Sequence, residues 1–174
     1  MRRAESFIMF LLTGTPGVGK STIADLLEER GYEITRAKDT VQKYIINKSD
    51  DDSEIDIDID AWASHFKDRE SIVEGHFSHF IPGAEGVIVL RCNPEILTER
   101  LRARGYREEK VRENGEAEAL DVILIETFDL YPADQIYEID ASDTSPEEVV
   151  DQVERILLGQ VSPCCGIVDW TWWL

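Results

Sequence analysis

The chain has 174 residues, 43 % of them apolar, and carries 36 acidic against 18 basic side chains, a formal net charge of −18. That length holds one sizeable core and is short for two ordinary domains, so residues 1–174 are read as one unit. No apolar stretch approaches the roughly 18 residues of a membrane span, and so acidic a surface repels phosphate backbones, which excludes nucleic-acid binding through a basic face. Three cysteines (Cys92, Cys164, Cys165) cannot form a disulfide framework, and with His65, His76 and His79 they do not complete a zinc pattern. Two explanations of the acidity stand open. A whole proteome adapted to high internal salt would screen such a surface, as in halophiles; alternatively the acid marks a face for a basic partner. Its spread along the whole chain favours the first, and the two are compatible.

In chain order, Arg2 and Arg3 precede the apolar run Phe7 to Leu12, which superficially suggests a secretory leader. A glycine-rich loop follows at once with no small-residue cleavage site, so the run reads as a first strand and the protein as cytoplasmic. The loop is Gly14-Thr15-Pro16-Gly17-Val18-Gly19-Lys20-Ser21-Thr22, two glycines bracketing four residues and followed by Lys and Ser. Thr22 to Arg30 is a predicted helix with Ile23, Leu26 and Leu27 on one face and Gly31 as its stop. Tyr32 to Thr35 is a short second strand, and Val41, Tyr44 and Ile45 at helical spacing predict a further helix. Ser49 to Asp60 is an acidic segment in which Ile55, Ile57 and Ile59 alternate with Asp56, Asp58 and Asp60, as in a half-buried extended strand or a solvated acidic arm.

Ala61 to Arg69 is predicted helical, Ser71 to Gly75 is a third strand, and the nearly all-apolar Gly86 to Arg91 is a central fourth. Asn93-Pro94 opens a helix to Arg104, stopped by Gly105. A longer helix is expected over Glu108 to Asp129, a fifth strand over Gln135 to Ile139, and a last helix after Ser145-Pro146. Alternating strands and helices predict an α/β fold, a parallel sheet with helices on both faces. The tail ends Trp170-Thr171-Trp172-Trp173-Leu174, whose rings should dock on the body of the molecule rather than stay in water.

The loop carries the chemistry. Its glycines let backbone N–H groups turn inward, and the following helix adds its positive end. Thr15, Gly17, Val18, Gly19, Lys20, Ser21 and Thr22 are therefore the expected contacts of a nucleoside triphosphate such as ATP. Lys20 is placed to reach the terminal phosphates and the Ser21 hydroxyl to ligate Mg²⁺. Ligands of open parallel sheets bind at the carboxyl ends of strands, which puts Glu74 and His76 beside the loop. Glu74 is a candidate to hold magnesium; His76 is a candidate to orient a nucleophile, with a structural role as the open alternative. Five arginines stand between Arg100 and Arg112, and Arg104, at the helix end before Gly105, is best placed to close over a migrating phosphoryl group.

The loop, Val89-Leu90-Arg91, Arg104-Gly105-Tyr106, Lys110, Glu113-Asn114 and Glu118, together with Ile136 to Asp140 and the Trp-bearing tail, resemble the adenylate kinase isoenzyme six family and its archaeal counterparts. The resemblance implies a nucleoside monophosphate kinase fold of parallel strand order 2-3-1-4-5. It implies a monophosphate-binding insert at about residues 37–60 and a short lid at about residues 103–113. The implied activity is phosphoryl transfer from ATP to AMP or a related monophosphate, with ATPase activity. The implied biology is small-subunit (30S) ribosome biogenesis and rRNA processing, through transient contact with the basic ribosomal protein uS11. The alternatives are primarily an ATPase assembly factor, or a kinase for another small acceptor. The chain departs from the family in carrying Glu74-Gly75-His76 where Asp, an aromatic and His are usual. Gln42 stands where an arginine is usual three residues after Asp39, with Lys43 or Arg36 as substitutes.

Overall fold

The computed structural model describes residues 8–49 and 55–174; Arg2, Arg3 and Phe7, and residues 50–54 of the acidic segment, lie outside the described residues. The elements are β1 (Phe10–Thr13), α1 (Lys20–Glu29), β2 (Ile34–Arg36), β3 (Ile45–Lys48), β4 (Ile55–Ile57), α2 (Ile59–His65), β5 (Ile72–Glu74), β6 (Gly86–Arg91), α3 (Pro94–Ala103), α4 (Glu108–Ala119), α5 (Val122–Leu130), β7 (Ile136–Asp140) and α6 (Pro146–Leu157). Five strands form one sheet in the order β2-β5-β1-β6-β7, parallel throughout. Counted along the chain within that sheet, this is the expected order 2-3-1-4-5. Among the described residues no helix is long and apolar enough to cross a membrane.

Period-two alternation sorts the core into two layers. Phe10, Leu12, Ile88 and Leu90 face one side with Ile23 and Leu27 of α1, Leu97 and Leu101 of α3, and Val149 and Val153 of α6. Leu11, Val73, Val87 and Val89 face the other, with Trp62, Phe66, Phe77, Ile81 and Leu124. Helix α6 starts at a complete capping box, Ser145 with Glu148. The register sets Leu12 beside Glu74 and Arg36 beside Glu74, so β1, β2 and β5 end together at one edge.

Three predicted boundaries are corrected. The helix expected around Val41 to Ile45 is one 3₁₀ turn, Gln42–Tyr44, running straight into β3. The alternating segment is a strand only as far as Ile57: β4 pairs antiparallel with β3, Ile57 opposite Ile45 and Ile55 opposite Lys48, while Ile59 opens α2. The helix expected over Ala61 to Arg69 spans Ile59–His65, because the Asp58 carboxylate accepts from the Ala61 amide and starts it earlier. The helix expected over Glu108 to Asp129 is two, broken where Asp121 takes a left-handed φ of 56°. An aspartate tolerates that conformation, and here its carboxylate is held by Arg91 of β6.

The tail docks in large part. Cys164 adds a bridge beside Tyr137 of β7, and Trp170 is buried. Trp173 packs so closely on α4 that a Cβ on Gly115 would lie 2.6 Å from its ring, whereas Trp172 stays exposed. Cys164 and Cys165 are free thiols on this segment.

Between the sheet and α5, the 3₁₀ turn Ser78–Phe80 buries His79. Its Nε2 lies 3.0 Å from Glu126 Oε2, and a carboxylate only accepts, so Nε2 carries the proton and Nδ1 accepts from the Thr13 hydroxyl at 3.0 Å. Burial outweighs the pull of the half-exposed Glu126 and pushes the His79 pKa down to about 4. His76 is pushed in the same direction by burial and by Lys20, but it stands exposed to solvent, which weakens that push. For the buried His79, the unfolded chain would take up the proton near pH 6.5, so folding stability is complete above that pH and falls as pH drops toward 4. Urea titrations at pH 7, 6 and 5 should show that loss, about 2 kcal/mol between pH 7 and pH 5 for His79, and His79→Gln should flatten the slope.

Candidate active site

Residues 14–22 connect β1 to α1 at the carboxyl edge of the sheet. Gly14 has φ 145°, and a Cβ there would meet the Leu90 carbonyl oxygen at 2.5 Å, so the loop can leave β1 between β5 and β6 only with glycine. Gly19, at φ 112°, is the N-cap of α1 and offers no side-chain cap, whereas Asn93 caps α3 and Ser145 caps α6. The first amides of α1 are thus left for an anion, with no acidic residue in that turn to compete.

Lys20 is 7 % exposed, and its Nζ donates to the Gly14 and Thr15 carbonyls at 2.6 and 3.1 Å. Burial brings its pKa down to about 8, against the opposing pull of Glu74 and Glu118, with Arg104 adding to the depression. Three charged groups, Glu74, Glu118 and Arg104, thus act on one ammonium. Glu74, at the end of β5, is 6 % exposed. Arg104 is the C-cap residue of α3 and is exposed, and its side chain has no hydrogen-bond or ion-pair partner among the described residues. Arg102 and Arg112, by contrast, pair with Glu108 and Glu116. Two arginines of the cluster thus face the loop: Arg104, whose charge acts on Lys20, and Arg100, whose Nη1 lies 3.5 Å from the Val18 carbonyl.

Ser21 and Thr22 are exposed on the first turn of α1, Thr15 is buried, and the Val18 side chain packs into the core, so Val18 offers only backbone to a ligand. His76 stands exposed at the rim with its ring edge-on to Phe77 at 4.8 Å; burial of part of the ring and the neighbouring Lys20 both push its pKa down, toward the neutral form. Gly75 has no room for the usual aromatic, since a Cβ would meet that of Ala37 at 2.7 Å. Of the two cations standing in for the arginine absent at Gln42, Lys43 is exposed on its turn and Arg36 reaches the site. Arg36 Nη2 is held by Asp25 at 2.6 Å, while Nη1 lies 3.8 Å from Glu74 and has no hydrogen bond.

The donor set suits magnesium better than an ion needing a full protein cage. Among the described residues no group of three or more metal-binding side chains occurs, and one carboxylate beside one hydroxyl and a phosphate-binding loop is the partial shell that Mg²⁺ takes with a nucleotide. Glu74 accepts no hydrogen bond among the described residues and its pairing with Arg36 is long, at 3.8 Å, which leaves its oxygens available for that role. Sequence reasoning did not single out His79 or the contact of Glu118 with Thr15, whose Oγ1 lies 2.5 Å from the Glu118 carboxylate. Only the resemblance pointed at Glu118; nothing near His79 in the chain marks its partners.

A model of the AAA domain family matches residues 11–121. The chain is 46 % identical over 152 residues to a protein of Archaeoglobus fulgidus named "Putative adenylate kinase", covering 87 % of this chain and 83 % of that one. It is 40 % identical over 164 residues to a protein of the same name from Halobacterium salinarum, covering 92 % and 96 %. Among solved structures it aligns with a shikimate kinase from Acinetobacter baumannii over 90 % of this chain and 96 % of the other, with a TM-score of 0.61 at 14 % identity, a likeness of fold.

A lysine with a pKa near 8 gains its proton when polyphosphate arrives beside it. Calorimetric titration of ATP at pH 8 in two buffers of different ionisation heat should show uptake of about half a proton per site, and close to none at pH 6.5. Lys20→Met should abolish both the uptake and the binding.

Proposed function

Because the chain belongs to the family of these archaeal adenylate-kinase-like proteins, with its phosphate-loop domain, we propose that it is a nucleoside monophosphate kinase. On this reading it transfers the γ-phosphoryl group of ATP to AMP or a related monophosphate. The observation that carries the reading is the convergence of Lys20, Glu74 and Arg104 on one loop at the shared edge of β1, β2 and β5. An acceptor phosphate oxygen attacks the γ-phosphorus, the bond to the β–γ bridging oxygen breaks, and ATP plus AMP leave as two ADP. Little covalent work falls to the protein, so positioning and charge do most of it.

Lys20, the loop amides of Gly17 to Thr22 and the uncapped end of α1 hold the triphosphate. Ser21 and Glu74 would hold Mg²⁺, which when bound neutralises phosphate charge. Arg104 closes from the segment at residues 103–113 over the migrating group, and Gly105, at φ 79°, gives that segment its turn. His76, neutral and at the rim, is placed to accept a hydrogen bond from acceptor or water. The hairpin of β3 and β4, within residues 37–60, together with Arg36, supplies the acceptor side. Residues 1–174 act as one kinase domain in the cytoplasm.

A second reading has an observation of its own. The chain carries 18 excess negative charges and presents Val122, Ile125 and Phe128 on α5 to solvent beside Glu126 and Asp129. Such a surface suits a basic protein, and the family resemblance makes uS11 the candidate, with ATP hydrolysis driving release during 30S maturation. Incubation with ATP and Mg²⁺, with and without AMP, separates the two. AMP-dependent ADP without free phosphate supports the kinase; AMP-independent phosphate release, faster with uS11, supports the assembly ATPase. Arg104→Ala should lower kcat by about 10²- to 10³-fold while changing ATP affinity by less than about tenfold, as expected for a group that acts on transition-state charge.

A further inference from the structure

One buried carboxylate touches the phosphate loop from beneath. Glu118, in the last turn of α4, is 3 % exposed. Its Oε2 accepts from the Thr15 hydroxyl at 2.5 Å. Its Oε1 accepts from the Cys92 amide at 3.0 Å and from Arg91 Nε at 2.9 Å. Both oxygens are therefore committed, and the carboxylate has one orientation available to it.

That orientation is set from behind. Arg91 is 2 % exposed; its Nη1 donates to Glu138, and its Nη2 to Asp121 and, at 3.0 Å, to the Glu118 carbonyl. The ring centroid of Trp170 lies 5.0 Å from the guanidinium carbon and closes its face to water. Glu138 also receives the tail directly: its Oε2 accepts from the Ile167 amide at 2.8 Å, and its own amide donates to the Cys164 carbonyl at 2.8 Å. A continuous series of short polar contacts thus runs from the tail through Arg91 and Glu118 to Thr15, whose carbonyl also receives Lys20 at 3.1 Å.

We infer that Glu118 is a positioning residue for the phosphate loop, holding Thr15 and with it the loop backbone, and that the C-terminal tail holds Glu118 in place through Trp170 and Arg91. The inference rests on the nucleotide site proposed above. One guanidinium faces three carboxylates here, an excess of acid that packing alone does not call for. Buried ion groups of this kind add little to stability over apolar residues of similar shape, and their known use is to fix one arrangement. The arrangement fixed in this case is that of the loop, since Thr15 is the one group in the network that belongs to it. Linkage makes the effect reciprocal: a tail that steadies the loop for ATP must itself be steadied by ATP.

The test uses full-length protein with Thr15→Val, Thr15→Ser, Trp170→Ala and Trp170→Phe, each confirmed folded by its thermal transition. Readouts are the ATP dissociation constant, kcat and KM separately, and hydrogen exchange of the Ile167 amide with and without ATP. Thr15→Val, which keeps shape and the backbone amide but loses the hydroxyl, should weaken ATP binding by about tenfold. Thr15→Ser should restore it. Trp170→Ala should weaken it severalfold at unchanged kcat, Trp170→Phe less so, and ATP should slow Ile167 exchange in the wild type but not in Thr15→Val. A role in stability alone would shift the transition temperature and leave the affinity of folded protein unchanged, which overturns the inference. So does Ile167 exchange that ignores ATP in the wild type. If Trp170→Ala does not fold, the Thr15 pair and the exchange measurement decide. Absence of ATP binding by the wild type would overturn the nucleotide reading itself, and this inference with it.

Discussion

Arg91 is the point on which this structure turns. It ends the central strand β6, where the register carries it beside Asp140, and it is almost wholly buried. A guanidinium cannot give up its proton, so the surrounding chain must come to it with acceptors. Those acceptors arrive from four places: the end of α4, the break before α5, strand β7 and, through the ring of Trp170, the tail. Each is bent to fit. Asp121 takes a left-handed backbone, Glu138 turns one oxygen to the tail, and Glu118 divides its oxygens between β6 and the loop. The helix break, the docking of the tail and the seat of the phosphate loop are thus consequences of satisfying one cation.

What could be read from the sequence divides along the same line. The loop from Gly14 to Thr22 was legible because its chemistry is local: glycine spacing, a lysine and a hydroxyl adjacent in the chain. Strands β1 and β6 were legible because nearly continuous apolar runs belong in a central parallel sheet. The single long helix over Glu108 to Asp129 was misread, since nothing in its own residues announces a break that Arg91 imposes from another strand. The region after Asp39 was misread for a different reason. Val41, Tyr44 and Ile45 fit a helical period, yet Ile45 finds a better partner in Ile57 across the hairpin. His79 was invisible because its partners, Thr13 and Glu126, stand 66 and 47 residues away. Arg104 could be named from its place before Gly105; that Arg102 and Arg112 are instead tied to Glu108 and Glu116 depends on contacts that spacing does not announce.

The acidity poses a question the site itself answers. A protein of net charge −18 presents an unfavourable field to a polyphosphate at long range. At physiological ionic strength charges beyond about 8 Å are largely screened, so what matters is the composition of the immediate shell. Around the loop that shell is positive: Lys20 in the loop, Arg104 and Arg100 along α3, and an uncapped helix end with no acid in its first turn. The carboxylates that do approach are not loose. Glu74 sits by Arg36, whose other amine is tied to Asp25 on α1, and Glu118 is consumed by Arg91, Cys92 and Thr15. Net charge and local charge are therefore independent design variables in this chain. The first is spread over the outer faces, where it can govern solubility and partner choice. The second is confined to a few buried contacts, where low dielectric makes each of them count.

That separation also explains how a lysine can be both buried and useful. Burial alone would leave Lys20 neutral over much of the range in which an enzyme works, and a neutral amine binds phosphate poorly. The two carboxylates that oppose this, Glu74 and Glu118, come from opposite sides of the loop and belong to different structural units, one at the sheet edge and one on the strut from Arg91. Neither donates a proton or forms a bond with the ammonium, which is anchored on loop carbonyls instead. They act by charge alone, holding the pKa near 8 rather than letting it fall further. A ligand bearing more negative charge than either can then finish the task, which makes the protonation state of the loop lysine a property of the complex rather than of the free protein.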